Sequence, residues 1–200
     1  MIPVQNEDNM TNEQILQQLR QAAEARDPEQ CQFLLKSLFM TMDFYHAFAV
    51  VVERTQPFLE TFEHYYPDGK FARQILLQMV NTGVAPSKLP QEALRDFEYP
   101  GAANYMKALG DMAHALQPGA LPPRIGFLVS ATVNAIMAEL VEQYYGSHME
   151  QWQFIRQNPS DPKTQQIAYS FWTDEDVVLL DVDNWLQVAD SVEEKLERQQ

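Results

Sequence analysis

Residues Phe33 to Val52, FLLKSLFMTMDFYHAFAVVV, are apolar on nearly every face when wound at helical pitch. A helix without a solvent side belongs at the centre of a bundle with other helices laid around it. The stretch therefore predicts an all-α fold: a single-domain irregular helical bundle of about six to seven helices around a central apolar helix. Asp43 and His46 are its polar exception, one turn apart on one face.

Working outward, Asp27-Pro28 starts this helix, because aspartate caps free amides and proline at the first position gives up no hydrogen bond. Pro57 is expected to bend or end it. Upstream, Thr11 with Gln14 forms a capping-box pattern, and Ile15, Leu16, Leu19, Ala22 and Ala23 keep helical spacing. Downstream, Pro67-Asp68-Gly69 reverses the chain. Phe71, Ile75, Leu76, Met79 and Val80 then predict another core-facing helix ending at Gly83. The proline-rich stretch after it is a loop with one turn of helix at Gln91–Asp96, and Pro100 opens a helix through Leu116. Gln117 to Pro123, QPGALPP, reads as a rigid crossover, followed from Arg124 by a long helix to Tyr144, with Gly146 ending or kinking it. Thr173 with Asp176 is a further capping box before a terminal helix. The run VVLLDV there also fits a short strand, with helix favoured by the cap and by the length of the pattern.

Residues 1–10 are expected to be a disordered or loosely packed tail, and residues 11–200 one helical domain, with 160–200 standing as an alternative C-terminal appendage. Gly146-Ser147-His148-Met149 has the form of a tag-cloning scar. It reads as coincidence, because Trp152, Phe154 and Ile155 continue the apolar pattern.

Charge and composition narrow the function classes. The 200 residues carry a net charge of −14, with 14 acidic and 8 basic groups in residues 1–100 and 14 and 6 in residues 101–200. Neither half has the basic excess needed to displace counterions from a phosphate backbone, so no nucleic acid is expected, and a protein partner fits better. A homo-oligomer is compatible with the pattern. The single cysteine, Cys31, leaves no internal disulfide and is expected to be a small buried hydrophobe. The start, MIPVQNEDNM, has neither a basic n-region nor an apolar h-region, and the expected location is cytoplasmic. Ile125–Ala138 is apolar but short, so no membrane span is expected.

The sequence contains no glycine-rich phosphate loop, dinucleotide fingerprint, nucleophile elbow or HExxH. Asp43-x-x-His46 and Asp111-x-x-His114 each set a carboxylate and an imidazole on one helical face. Such pairs from two helices are half of what a di-metal bundle site needs. Asp43, His46, Asp111 and His114 are thus candidate ligands for a divalent metal, and structural aspartates are the alternative; no catalytic residue is assigned, and no cofactor is expected otherwise. Tyr65-Tyr66, Tyr144-Tyr145 and the three tryptophans are candidates for a pocket or interface as well as for the core. The acidic cluster Asp174, Glu175, Asp176, Asp181 and Asp183 suits a basic partner or a helix N-terminus.

Arg54-Thr55-Gln56-Pro57-Phe58, Asp96-Phe97-Glu98-Tyr99, Leu121-Pro122-Pro123 and Tyr144-Tyr145 occur in an order that resembles the C-terminal part of the cyanobacterial CO2 hydration protein family. The resemblance covers residues 53–145. It implies a helical accessory subunit docked beside a membrane-associated complex, in a relative that lacks the family's metal-associated region. The two functional expectations are therefore a soluble interaction or assembly protein without catalytic activity, and a metal-dependent or CO2-hydration-related subunit using the Asp/His pairs.

Overall fold

In the structure, a computed structural model that describes residues 10–88 and 90–199, Thr11 caps α1 (Asn12–Glu24) with both bonds of the capping box formed. Asp27 caps α2 (Pro28–Thr41) by accepting from the Gln30 N–H at 3.0 Å. Residues 1–9 of the expected tail lie outside the described residues.

The Phe33–Val52 stretch is two helices. Met42 is extended (ψ 157°), and Asp43 is the N-cap of α3 (Phe44–Tyr65), accepting from the Tyr45 N–H at 2.8 Å. A short carboxylate that can bond the amide two residues on offers the backbone an alternative to continuing the helix. Uniform apolarity reports burial, and it says nothing about continuity. Nor is the burial complete, since Phe33 and Tyr45 are exposed. Pro57, expected to bend or end the helix, lies inside α3, which runs on for eight more residues. Pro57 leaves the Glu53 carbonyl without its amide partner, and Glu53 and Pro57 both lie on the exposed side of α3, where water can take the amide's place.

α4 (Lys70–Thr82) ends at Gly83, whose φ of 63° is the left-handed closure its position predicts. A 3₁₀ turn at Gln91–Leu94 lies in the following loop. α5 (Ala102–Ala115) and α6 (Leu121–Tyr145) form an antiparallel hairpin: Asp111 meets Ser130, and the Ala115 carbonyl meets Arg124. Pro122 and Pro123 belong to the first turn of α6, which starts before them. The crossover is therefore shorter than QPGALPP, because prolines in a first turn remove only amides that have no helical partner. α7 (Met149–Gln157), α8 (Pro162–Thr173) and α9 (Glu175–Glu197) follow. Thr173 closes α8, and the cap of α9 is Asp174, which accepts from the amides of Asp176 and Val177. The VVLLDV run is helical.

Among the described residues there are nine α-helices and no strand, so the fold is all-α. The central apolar helix is α6, which touches α2, α3, α5, α7 and α9. At 25 residues, with a mean hydropathy of 1.5 over its most apolar window, α6 is long and apolar enough to cross a membrane, yet 56% of that window is buried inside the bundle. Small residues bring its neighbours close. Gly101 (φ 80°) lies against the Ala138 carbonyl so tightly that a Cβ would not fit. α9 runs antiparallel to α3, tied by Lys195 and Ser191 to Glu53, and to α1 by Arg20 with Asp190 and Glu193. Residues 174–197 thus share the core of the preceding helices. Deep in it, Arg54 pairs with Glu139 and donates to Gln187 at 3.3 Å.

Candidate functional site

The four candidate ligands occupy separate surroundings. Asp43 is spent on its cap, and His46 Nδ1 meets the Gln199 amide at 2.7 Å near the end of α9. Asp111 accepts from Lys107 and Ser130, each at 2.7 Å, and from Asn134 at 3.3 Å, across the α5–α6 hairpin. His114 is exposed and stacks on Phe127 with centroids 5.2 Å apart. Among the described residues no three His, Cys, Asp or Glu side chains gather into a group able to hold a metal ion. Cys31 is 1% exposed, and burial pushes its thiol up to about 12.

The aromatic candidates divide. Tyr144, Tyr145 and Trp185 are buried, and Trp172 is exposed. Tyr65 is 46% exposed and forms one wall of an open cleft of about 600 Å³. Three elements build it. The end of α3 brings Tyr65 and Tyr66, the strap of residues 95–99 brings Glu98 and Tyr99, and α7 brings Met149, Gln153, Arg156 and Gln157. The four α7 residues recur at spacings of four, three and one, which places them on one helical face.

The strap is held at every residue. Arg95 forms a two-pronged pair with Asp68 at 2.7 and 3.0 Å, and its guanidinium lies 4.7 Å above the Tyr66 ring. Asp96 accepts from Arg156 at 2.5 Å. Phe97 is buried against Phe62. The Glu98 carbonyl accepts from the Trp152 indole at 2.6 Å. The Tyr99 N–H donates to the Tyr66 hydroxyl at 2.9 Å, and its own hydroxyl donates to Glu142 at 3.1 Å. The Tyr99 ring stacks on Tyr65 with centroids 3.4 Å apart and planes 18° from parallel.

These contacts set the cleft's electrostatics. Burial first, then the hydrogen bond with Tyr65 and the charge of Glu142, hold the Tyr99 phenol far above its ordinary range, so it stays a neutral donor. The hydrogen bond from Arg95 holds the Asp68 carboxyl below its usual range. With Arg95 and Arg156 both paired, the lining offers aromatic faces, a thioether, amides and the Glu98 carboxylate. Such a lining offers stacking, apolar and hydrogen-bonding contacts to whatever enters the cleft.

Tyr65-Tyr66 was visible in the sequence. Met149, Gln153, Arg156 and Gln157 keep helical spacing, but glutamines and an arginine on a short helix do not differ in composition from ordinary solvent surface. The chain matches no known protein family, no curated protein and no solved structure.

Proposed function

We propose that this protein is a non-catalytic helical interaction protein, an accessory or assembly factor that holds a protein partner in the cleft between Tyr65, the 95–99 strap and α7. The observation that carries this reading is a rigid aromatic wall: Tyr65 stacked on a Tyr99 fixed through ring, amide and hydroxyl, and open to solvent. Aromatic groups ordered before binding lose little freedom when a partner arrives, so contact area on them converts efficiently into affinity. Met149, Gln153 and Gln157 opposite are flexible and adapt to the partner's shape.

A photo-crosslinker placed at Gln153 of the full chain, in the organism that makes it, tests the proposal. The expected result is one discrete adduct that is absent when the crosslinker replaces Glu24 on α1. Truncating a central aromatic anchor costs about 2 kcal/mol, roughly thirtyfold in affinity, so Tyr65→Ala should remove most of that adduct. An adduct indifferent to Tyr65→Ala, or none above the Glu24 control, overturns the reading.

A further inference from the structure

A second surface lies at the elbow between α8 and α9. Tyr169, Trp172 and Leu179 are 71%, 53% and 57% exposed there, the largest apolar groups in that part of the chain to face water. Trp172 borders a groove of about 340 Å³ that continues past Val177 and Val178 to Asp181, with the α1–α2 turn at Arg26 closing it. Around these apolar groups stand Asp174, Glu175, Asp176, Asp181 and Asp183. None of the five takes part in an ion pair among the described residues. Asp174 is occupied as a cap and Glu175 and Asp176 favour the first turn of α9, but Asp181 has neither role. It sits half-buried on the inward stripe of α9, where burial raises its carboxyl above the ordinary range while Trp185 and Arg26 pull it back.

We infer that this elbow docks a basic segment of a protein partner, placing a lysine or arginine side chain between the Trp172 ring and the Asp181 carboxylate. The reasoning combines charge with shape. An indole face beside a carboxylate complements a cationic head on an apolar stem, since the ring takes the stem or the cation and the carboxylate takes the charge. The surrounding carboxylates are dispersed, and no three converge on a point that would suit a single metal ion. They match positive charges spaced along a chain. The same surface repels phosphate backbones and anionic bilayers, which leaves a protein segment as the complementary class. Arg26 is one cation against five carboxylates, and its exposed side chain can swing aside. This inference concerns a different surface from the tyrosine cleft and does not rest on it.

Selection of phage-displayed random dodecapeptides on the full chain tests it, with counter-selection on Trp172→Ala/Asp181→Asn. The tyrosine cleft is intact in both proteins, so its binders are removed and its failure or success leaves this result unchanged. The expected outcome is an enriched pool rich in lysine and arginine beside apolar residues. Its members should bind at least tenfold more weakly to Asp181→Asn alone, and as well to Glu92→Gln/Glu150→Gln as to the wild type. The near-isosteric Asp181→Asn keeps the test valid should the double variant fold poorly, as circular dichroism would reveal. The inference is overturned by a pool with no basic enrichment, by no pool, or by equal weakening in Glu92→Gln/Glu150→Gln, which would indicate general attraction to an acidic protein. Dimerisation in sedimentation experiments that disappears in Trp172→Ala would also overturn it, by assigning the face to a second copy of the chain.

Discussion

Removing one partner of the buried Arg54–Glu139 pair should have very unequal effects depending on which partner goes. Arg54 is 5% exposed, and the Glu139 side chain is 18% exposed. A guanidinium cannot discharge at any working pH, whereas a carboxylate can take a proton. Burial already pushes the Glu139 carboxyl upward, against the opposing charge and hydrogen bond of Arg54 and a hydrogen bond from Asn184. Glu139→Leu strands a buried cation and should cost about 3–5 kcal/mol, a fall in Tm of roughly 6–20 °C for a domain of this size. Arg54→Met keeps the apolar stem and lets Glu139 neutralise, so the cost should be about 1–3 kcal/mol, typical of an unsatisfied polar group. In that variant the folded-state pKa of Glu139 lies above its unfolded value by a wider margin. Its folded state then binds more protons than the unfolded state, and stability is regained as pH falls through the raised folded pKa. The Arg54→Met deficit should therefore shrink between pH 7 and pH 5, while the Glu139→Leu deficit should not. Arg54→Met/Glu139→Leu should return to within about 1 kcal/mol of the wild type or exceed it. Urea titrations of all four proteins at both pH values measure each quantity. Equal single-variant costs with no pH dependence would refute the account.

Gly101→Ala, forced to φ 80° against the Ala138 carbonyl, should lose about 2 kcal/mol or more, whereas Gly126→Ala, in a helix interior with open space, should gain about 0.5–1 kcal/mol in the same denaturation assay. Asp43→Ala should cost about 1 kcal/mol as a lost cap, and equilibrium dialysis with zinc or manganese should give the same result for Asp43→Ala as for the wild type; a change in stoichiometric metal would assign Asp43 a ligand role. The Cys31 thiol, raised to about 12, should react with a disulfide reagent at pH 8 only on the timescale of unfolding, and rapid labelling of the native protein would contradict its burial. Glu63, held low by its hydrogen bond from Arg73, contributes stability that is present above its unfolded pKa and lost as pH falls through the lower folded one. Glu63→Gln should therefore flatten the acid side of the stability profile slightly.

Helix boundaries were legible wherever one or two neighbouring residues decide them, as at the starts capped by Thr11 and Asp27 and the end closed by Gly83. Three readings failed for related reasons. Spacing pairs Asp43 with His46, although an aspartate is as much a cap as a helix-face group, and here it caps α3. Pro57 and Pro122-Pro123 read as breakers in the sequence, while their effect depends on which carbonyls they orphan and whether those face water. The central role went to the wrong apolar stretch because hydropathy ranks burial within a segment and cannot say which segment meets the most neighbours. The cleft was half visible. Tyr65-Tyr66 could be flagged as a doublet, but the cleft also needs residues 95–99 and 149–157, brought together by contacts such as Trp152 to Glu98 and Arg156 to Asp96 that span more than fifty positions.

Those long-range contacts also explain how the two proposed surfaces are held. α7 is short and has no fully buried side chain, so its own packing is too slight to place the Met149–Gln157 face accurately. Its position comes from outside. Trp152 bonds the strap and packs its ring 5.2 Å from Tyr145. Tyr145 stacks on Phe171 at 5.5 Å, and Phe171 meets Trp172 at 4.7 Å. One run of aromatic rings therefore reaches from the cleft wall, past the buried end of α6, to the acidic elbow. Trp152→Ala should loosen the α7 wall while leaving Trp172 in place. In such a variant, crosslinking from Gln153 should fall, and selection of basic peptides at the elbow should be unchanged. Loss of both would mean that the rings set the geometry of the two surfaces together, and that α7 and α8 move as one layer over the end of α6.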